Sequence, residues 1–204
     1  WSLRVRVKND DLIMGMSRFS LQDPATRNYT YEWLFLENLR MEGLITPRYR
    51  FVNLVLNGKA MGIYALEESF SKELIENNRR REGVVVAFDE YHSWHMYWNV
   101  GRSNAYRAAK VDVRNLGRVE SSELLKRQME TAIHLVRGLQ DRSLSGEDVF
   151  NPERFGKFLA LSHLWNAEHT FSYEDINFYF DPITGNLEPI GKEGDSRPST
   201  EAPH

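Results

Sequence analysis

Asn57-Gly58 stands between two largely apolar runs of strand length, Arg50 to Leu56 and Lys59 to Leu66. A two-residue Asn-Gly loop tolerates the positive φ angles of a tight hairpin turn, and its twist suits antiparallel strands. This dipeptide therefore fixes two strands and their pairing. A third strand is expected at the start, where Leu3, Val5 and Val7 alternate with Arg4, Arg6 and Lys8. Val84 to Phe88 is an apolar run of strand length, and Met14-Gly15-Met16 is the centre of a shorter one.

Helices interleave with these strands. After the turn at Asp23-Pro24 the spacing predicts a helix from about Ala25 to Met41, with Tyr29, Trp33, Leu36 and Leu39 on its apolar face. Gly43 stops it. A second helix is expected from Glu67-Glu68 through Arg81, closed by Gly83. After Ser121-Ser122, Leu124, Leu125, Met129, Ala132, Ile133, Val136 and Leu139 form a wide apolar stripe. Asn151-Pro152-Glu153 reads as an N-cap with proline at the first helical position, opening a helix to about Trp165. Two late strands, Asp175 to Phe180 and Leu187 to Ile190, flank a turn at Asp181-Pro182. The order predicts an α+β fold: a β-rich part with two helices over 1–90 and a helix-rich part with a late hairpin over 91–190. Residues 191–204 have no apolar side chain larger than Ala or Pro and read as a disordered tail. A strand at the first residue and a polar stretch at the last suggest a domain cut at both ends.

The formal net charge is -3, so there is no overall basic field to suggest nucleic acid. No apolar run reaches the roughly 18 residues of a membrane-spanning helix. The chain has no cysteine, which excludes disulfide and thiolate chemistry. Phosphate loops of the G-x-G-x-x-G or Walker type are absent, as is the G-x-S-x-G nucleophile elbow.

The polar segment from His169 to Glu193 is the strongest candidate for chemistry. It joins a helix end to a strand start, and such loops are held in place by rigid elements. The hairpin could bring Asp175 and Glu193 to one end of a sheet, where two carboxylates can hold Mg²⁺ against phosphate oxygens. The plainer reading is a solvated turn. His92 and His95 have a spacing that can face one metal on a helix, and the plainer reading there is an aromatic patch with Trp94, Tyr97 and Trp98. Arg79-Arg80-Arg81 is either a phosphate docking site or a helix end whose cations complement the dipole. Arg18 and Arg27 could contact phosphate, or pair with Glu32 or Asp23.

Three stretches, taken in order, resemble the CotH family, the spore-coat-protein-H-like atypical protein kinases. They are Met14 to Leu21 with Asp23-Pro24 and Arg27-Asn28-Tyr29; Pro47 to Val52 with Leu56-Asn57-Gly58 and Gly62 to Glu68; and Asp175 to Pro182 with Thr184-Gly185 and Leu187 to Ile190. The likeness is to large bacterial members, for which an extracytoplasmic or cell-surface location is the expectation.

The resemblance implies a protein-kinase-like, two-lobed fold, truncated at both ends. It also implies transfer of the ATP γ-phosphate to Ser or Thr of a protein substrate with Mg²⁺. By position in the pattern, His169 stands where the family usually has an Asp. Glu174-Asp175 replaces a His-Asn pair, and Lys192-Glu193 replaces an aromatic-Asp pair. The resemblance then assigns His169 and Asp175 to catalysis, Asp175 and Glu193 to metal, and Arg18 and Arg27 to the nucleotide. Two alternatives stand beside it: a pseudokinase serving as an interaction or assembly module, and a metal-dependent hydrolase built on His92 and His95.

Overall fold

The computed structural model describes residues 2–9, 11–89 and 102–194, without the side chains of 102 and 103. His92, His95 and the aromatics around them lie outside the described residues, so the hydrolase reading has no structural counterpart here.

Two four-stranded sheets organise the described chain. The first has the order β1 (Ser2–Arg6), β2 (Arg18–Gln22), β4 (Lys59–Glu68), β3 (Tyr49–Leu56), antiparallel throughout. The second has the order β6 (Val111–Val113), β5 (Val85–Phe88), β7 (Asn177–Phe180), β8 (Leu187–Ile190), also antiparallel. The helices are α1 (Tyr31–Met41), α2 (Lys72–Asn77), α3 (Arg102–Ala108), α4 (Leu116–Glu120), α5 (Glu123–Asp141), α6 (Gly146–Val149) and α7 (Pro152–Leu164). The chain is α+β, as its sequence predicts.

The Asn57-Gly58 hairpin forms, with both residues at positive φ. β2 is a strand that the sequence pattern hid: only Phe19 and Leu21 are apolar in it, and both are buried. The helix expected from Ala25 to Met41 is interrupted. A 3-10 turn at Pro24–Arg27 ends where Asn28 and Tyr29 take positive φ, and α1 begins at Tyr31. The buried face of α1 is Glu32, Phe35, Leu36 and Leu39: Leu36 and Leu39 are core as expected, but Glu32 and Phe35 complete the face, and Tyr29 and Trp33 are exposed. The second helix is shorter than expected, Lys72–Asn77.

β5 is fully buried because it is central in the second sheet and covered on both faces. On one face lie α5, α7 and α1, in a core that includes Phe35, Leu36, Val86, Phe88, Leu135 and Phe178. On the other, Leu74 and Ile75 of α2 pack with Ile45, Val85, Tyr179 and Ile190. The boundary expected near residue 90 is thus crossed: β5 belongs to the second sheet, and α1 packs with the later helices. The Trp165 indole N–H donates to the Asn38 side chain (2.8 Å), and the Tyr31 hydroxyl donates to the Trp165 carbonyl, fastening α1 to the end of α7.

Residues 191–194 are packed rather than part of a tail. A Cβ on Gly191 would come within 2.3 Å of Leu39 Cδ1, and one on Gly194 within 2.3 Å of Phe35 Cδ1. The backbone here lies against α1 at a distance only glycine permits. Residues 195–204 lie outside the described residues.

Candidate functional site

β2, β3 and β4 turn one face toward the end of the second sheet. On that face are Gln22, Tyr49 and Glu67, since Ser20 and Tyr49 both pair opposite Glu67. The Gln22 amide donates to Glu67 Oε2 (3.1 Å). Glu32 of α1 lies beside them with 1% exposure.

The opposing wall comes from the second sheet. Asn177 pairs with Ile190, so the residues that precede β7 and follow β8 emerge together. Lys192 and Glu193 follow β8, and the Lys192 backbone N–H donates to Thr170 Oγ1 (3.2 Å). Glu193 holds φ 54°, a left-handed conformation that costs a non-glycine residue energy. The Glu193 backbone and the Glu32 carboxyl lie close enough to influence one another, which sets this segment beside α1.

Within this space Glu193 Oε1 is 2.6 Å from Lys192 Nζ and 3.3 Å from an Arg27 guanidinium nitrogen. Asp175 Oδ2 accepts from the Ser172 hydroxyl (3.0 Å) and lies 3.5 Å from His169 Nδ1. His169 itself is well exposed on the rim.

The electrostatics are uneven. Burial pushes the Glu32 carboxyl up to about 8, helped by Glu67 and Glu193 and opposed by Arg27. Burial likewise raises Glu67, against the pull of Arg27 and Lys192. Burial, then the negative charge of Glu193, raises Asp175. Burial also acts against ionising Glu193, but Lys192 and Arg27 together outweigh it and hold that carboxyl below its ordinary range. The Glu32 Oε2 atom is buried without a hydrogen-bond partner. An acid left short of donors in a low-dielectric cleft favours the arrival of a cation or a proton donor.

The structure therefore brings together four of the residues singled out in the sequence: His169, Asp175, Glu193 and Arg27. It does not bring Arg18 to them. Arg18 donates to Asn115 Oδ1 (2.7 Å), at the other end of β2 from Gln22 and near Glu73. Its side chain is thus a tie between the first sheet and the turn before α4. Glu32, Glu67 and Lys192 complete the cleft and were not singled out as site residues. For Glu32 the signal was present: it precedes Phe35, Leu36 and Leu39 at helical spacing, which places a carboxylate on the apolar face. Glu67 and Lys192 carry no such signal.

Among the described residues no three His, Asp or Glu side chains gather to hold a metal by themselves. Asp175 and Glu193 do lie within each other's field. Such a pair fits Mg²⁺, which commonly takes one or two carboxylates and completes its shell with water and phosphate oxygens.

Two antiparallel sheets, with acids and cations gathered between them, define an α+β domain with a largely buried polar cluster. The chain belongs to the CotH kinase protein family, whose model matches residues 1–167. The match takes in the first sheet, β5, β6 and all the helices from α1 to α7, and it stops just before His169. A comparison with curated proteins finds no match. The domain is kinase-like by family membership.

Proposed function

We propose that the cleft is the nucleotide and phosphoryl-transfer site of a kinase-like domain, acting on Ser or Thr of a protein with ATP and Mg²⁺. The observation that carries this reading is the meeting of Asp175, Glu193, Arg27 and Lys192 between the two sheets. Phosphoryl transfer asks a protein mainly for positioning and for neutralisation of charge. Asp175 and Glu193 are the residues that would hold Mg²⁺, whose contribution is to offset charge on the phosphate oxygens. Arg27 and Lys192 are the cations within reach of an anionic ligand. His169, on the rim and beside Asp175, is placed to accept a proton from an acceptor hydroxyl, as imidazole can near neutral pH. Asp175 would orient that imidazole as well as hold metal.

The test is transfer of labelled γ-phosphate to a Ser-rich model protein with Mg²⁺ supplied. His169→Ala should lower the rate by about a hundredfold or more if the imidazole is the base. ATP affinity that survives replacement of both Asp175 and Glu193 by Ala would count against the metal roles.

A second reading, a pseudokinase used as an interaction or assembly module, has its own observation. Glu193 Oε1 is already neutralised by two cations of its own chain, and an imidazole stands where the family pattern has a carboxylate. ATP binding without transfer to any acceptor would select it.

A further inference from the structure

A groove of about 1120 Å³ opens on the side of the molecule away from His169 and Asp175. It is lined by Arg40, Arg48, Arg50, Arg79, Arg80 and Arg154, and by a single carboxylate, that of Glu37. Three arginine sites are balanced by acids: Arg40 by Glu37, Arg48 by Glu68, and Arg80 with Arg154 by the one carboxylate of Glu188. Arg50 and Arg79 are exposed and have no side-chain hydrogen-bond or ion-pair partner among the described residues. The groove is thus positive by about three charges, in a chain whose net charge is -3.

Its shape follows from β3. Residues Arg48, Tyr49, Arg50 and Phe51 all line it. Successive side chains on a strand point to opposite faces, so a space touched by all four lies along the strand's open side. Among the described residues β3 is an edge strand, paired only with β4. An unpaired edge presents a row of backbone donors and acceptors, which proteins ordinarily cover or blunt. Trp33 and Phe51, each 37% exposed, give the groove aromatic walls.

Arg79 adds an independent sign. It sits after α2 at φ 58°, a position where a helix end ordinarily takes Gly or Asn. A long cation held at an unfavourable backbone angle, with no partner of its own, is an outlier of the kind found at binding sites.

We propose that this groove is a docking site for an extended acidic peptide segment of a partner protein, added to β3 as a further strand. Backbone pairing with the edge gives affinity, and alternate acidic side chains meet Arg50 and Arg79. A strand matches both the charge and the row of backbone groups; a nucleic acid matches only the charge. Tyr49 lines the groove and also feels the field of Glu32 and Glu67, so it stands between this surface and the cleft.

The experiment is fluorescence anisotropy of a labelled, strand-length peptide of alternating Glu and Val, titrated with the full chain at low salt. Saturable binding is expected, with affinity lower by about tenfold or more for R50E/R79E and unchanged for R127E/R137E on α5. A peptide of the same charge with N-methylated backbone amides should also bind about tenfold more weakly to the unaltered chain, an arm that needs no variant. Absence of binding, equal binding of the N-methylated peptide, or equal loss in both variants would overturn the proposal. Tighter binding of a single-stranded oligonucleotide that R50E/R79E also abolishes would overturn it in favour of a nucleic acid.

Discussion

Buried carboxylates occur on both sides of the first sheet, and they are treated oppositely. Behind the sheet, Glu68 is fully buried and held by Arg48, whose guanidinium also donates to the carbonyls of Met14 and Gly15. On β8 of the second sheet, Glu188 is likewise held, by both Arg80 and Arg154. In the cleft, Glu32 is as deeply buried as Glu68 but has no ion-pair partner among the described residues, and one of its oxygens is unbonded. Glu67 shares Arg27 and Lys192 with Glu193 rather than owning either. Glu68 and Glu188 are satisfied by the chain itself and act as ties. The acids in the cleft are not each matched to a cation: burial favours the protonated form of Glu32, and Glu67 and Glu193 share Arg27 and Lys192.

This contrast predicts a ranked set of effects. Glu68→Ala should be the most damaging substitution, because it strands the largely buried Arg48. A loss of about 3–5 kcal/mol is expected in chemical unfolding. A loss below about 1 kcal/mol would erase the distinction between the two sides.

Glu32→Gln should behave differently, and its effect should depend on pH. The folded carboxyl keeps its proton up to about 8, whereas the unfolded one loses it near 4.5. Between those values the folded state binds more protons, so stability falls as pH rises, by at most about 1.4 kcal/mol per pH unit. Below the window there is no penalty, and above it the penalty is complete. Thermal unfolding across the window should show this decline in the unaltered chain and its near-disappearance in Glu32→Gln. Parallel pH profiles would contradict it.

Gly194→Ala should cost about 1–3 kcal/mol, because the added carbon meets the Phe35 ring and must push the segment off α1. ATP affinity should fall with it, since Glu193 moves too. Lys72→Ala removes an exposed pair with Glu76 and should change stability by no more than about 0.5 kcal/mol.

Much of this architecture could be read from residue pattern. The Asn57-Gly58 hairpin, the capped helix at Pro152 and the late hairpin that returns Glu193 toward Asp175 all announce themselves by turn chemistry. Arg27 lay in the right place, but nothing local separated it from Arg18. Which arginine reaches the cleft depends on opposite ends of one short strand, and β2 itself was hidden because its alternation rests on two apolar residues. The face of α1 is half legible: Leu36 and Leu39 are core as their spacing suggests, whereas Tyr29 and Trp33 look like core and are partly solvated. The inward packing of Lys192 and Glu193 was beyond pattern, although the late hairpin already placed Glu193 near Asp175. Both residues are fixed by backbone packing at Gly191 and Gly194, which leaves no hydrophobic signature.

The central claim is that the carboxylates Asp175 and Glu193 serve a metal-nucleotide ligand. Calorimetric titration of the full chain with ATP, with and without Mg²⁺, tests it most directly. Mg²⁺-dependent binding is expected that is lost when Asp175 and Glu193 are both replaced by Ala, while Glu188→Gln, at the Arg80 and Arg154 pair, leaves the affinity unchanged. Binding that ignores Mg²⁺ and both cleft carboxylates would contradict it.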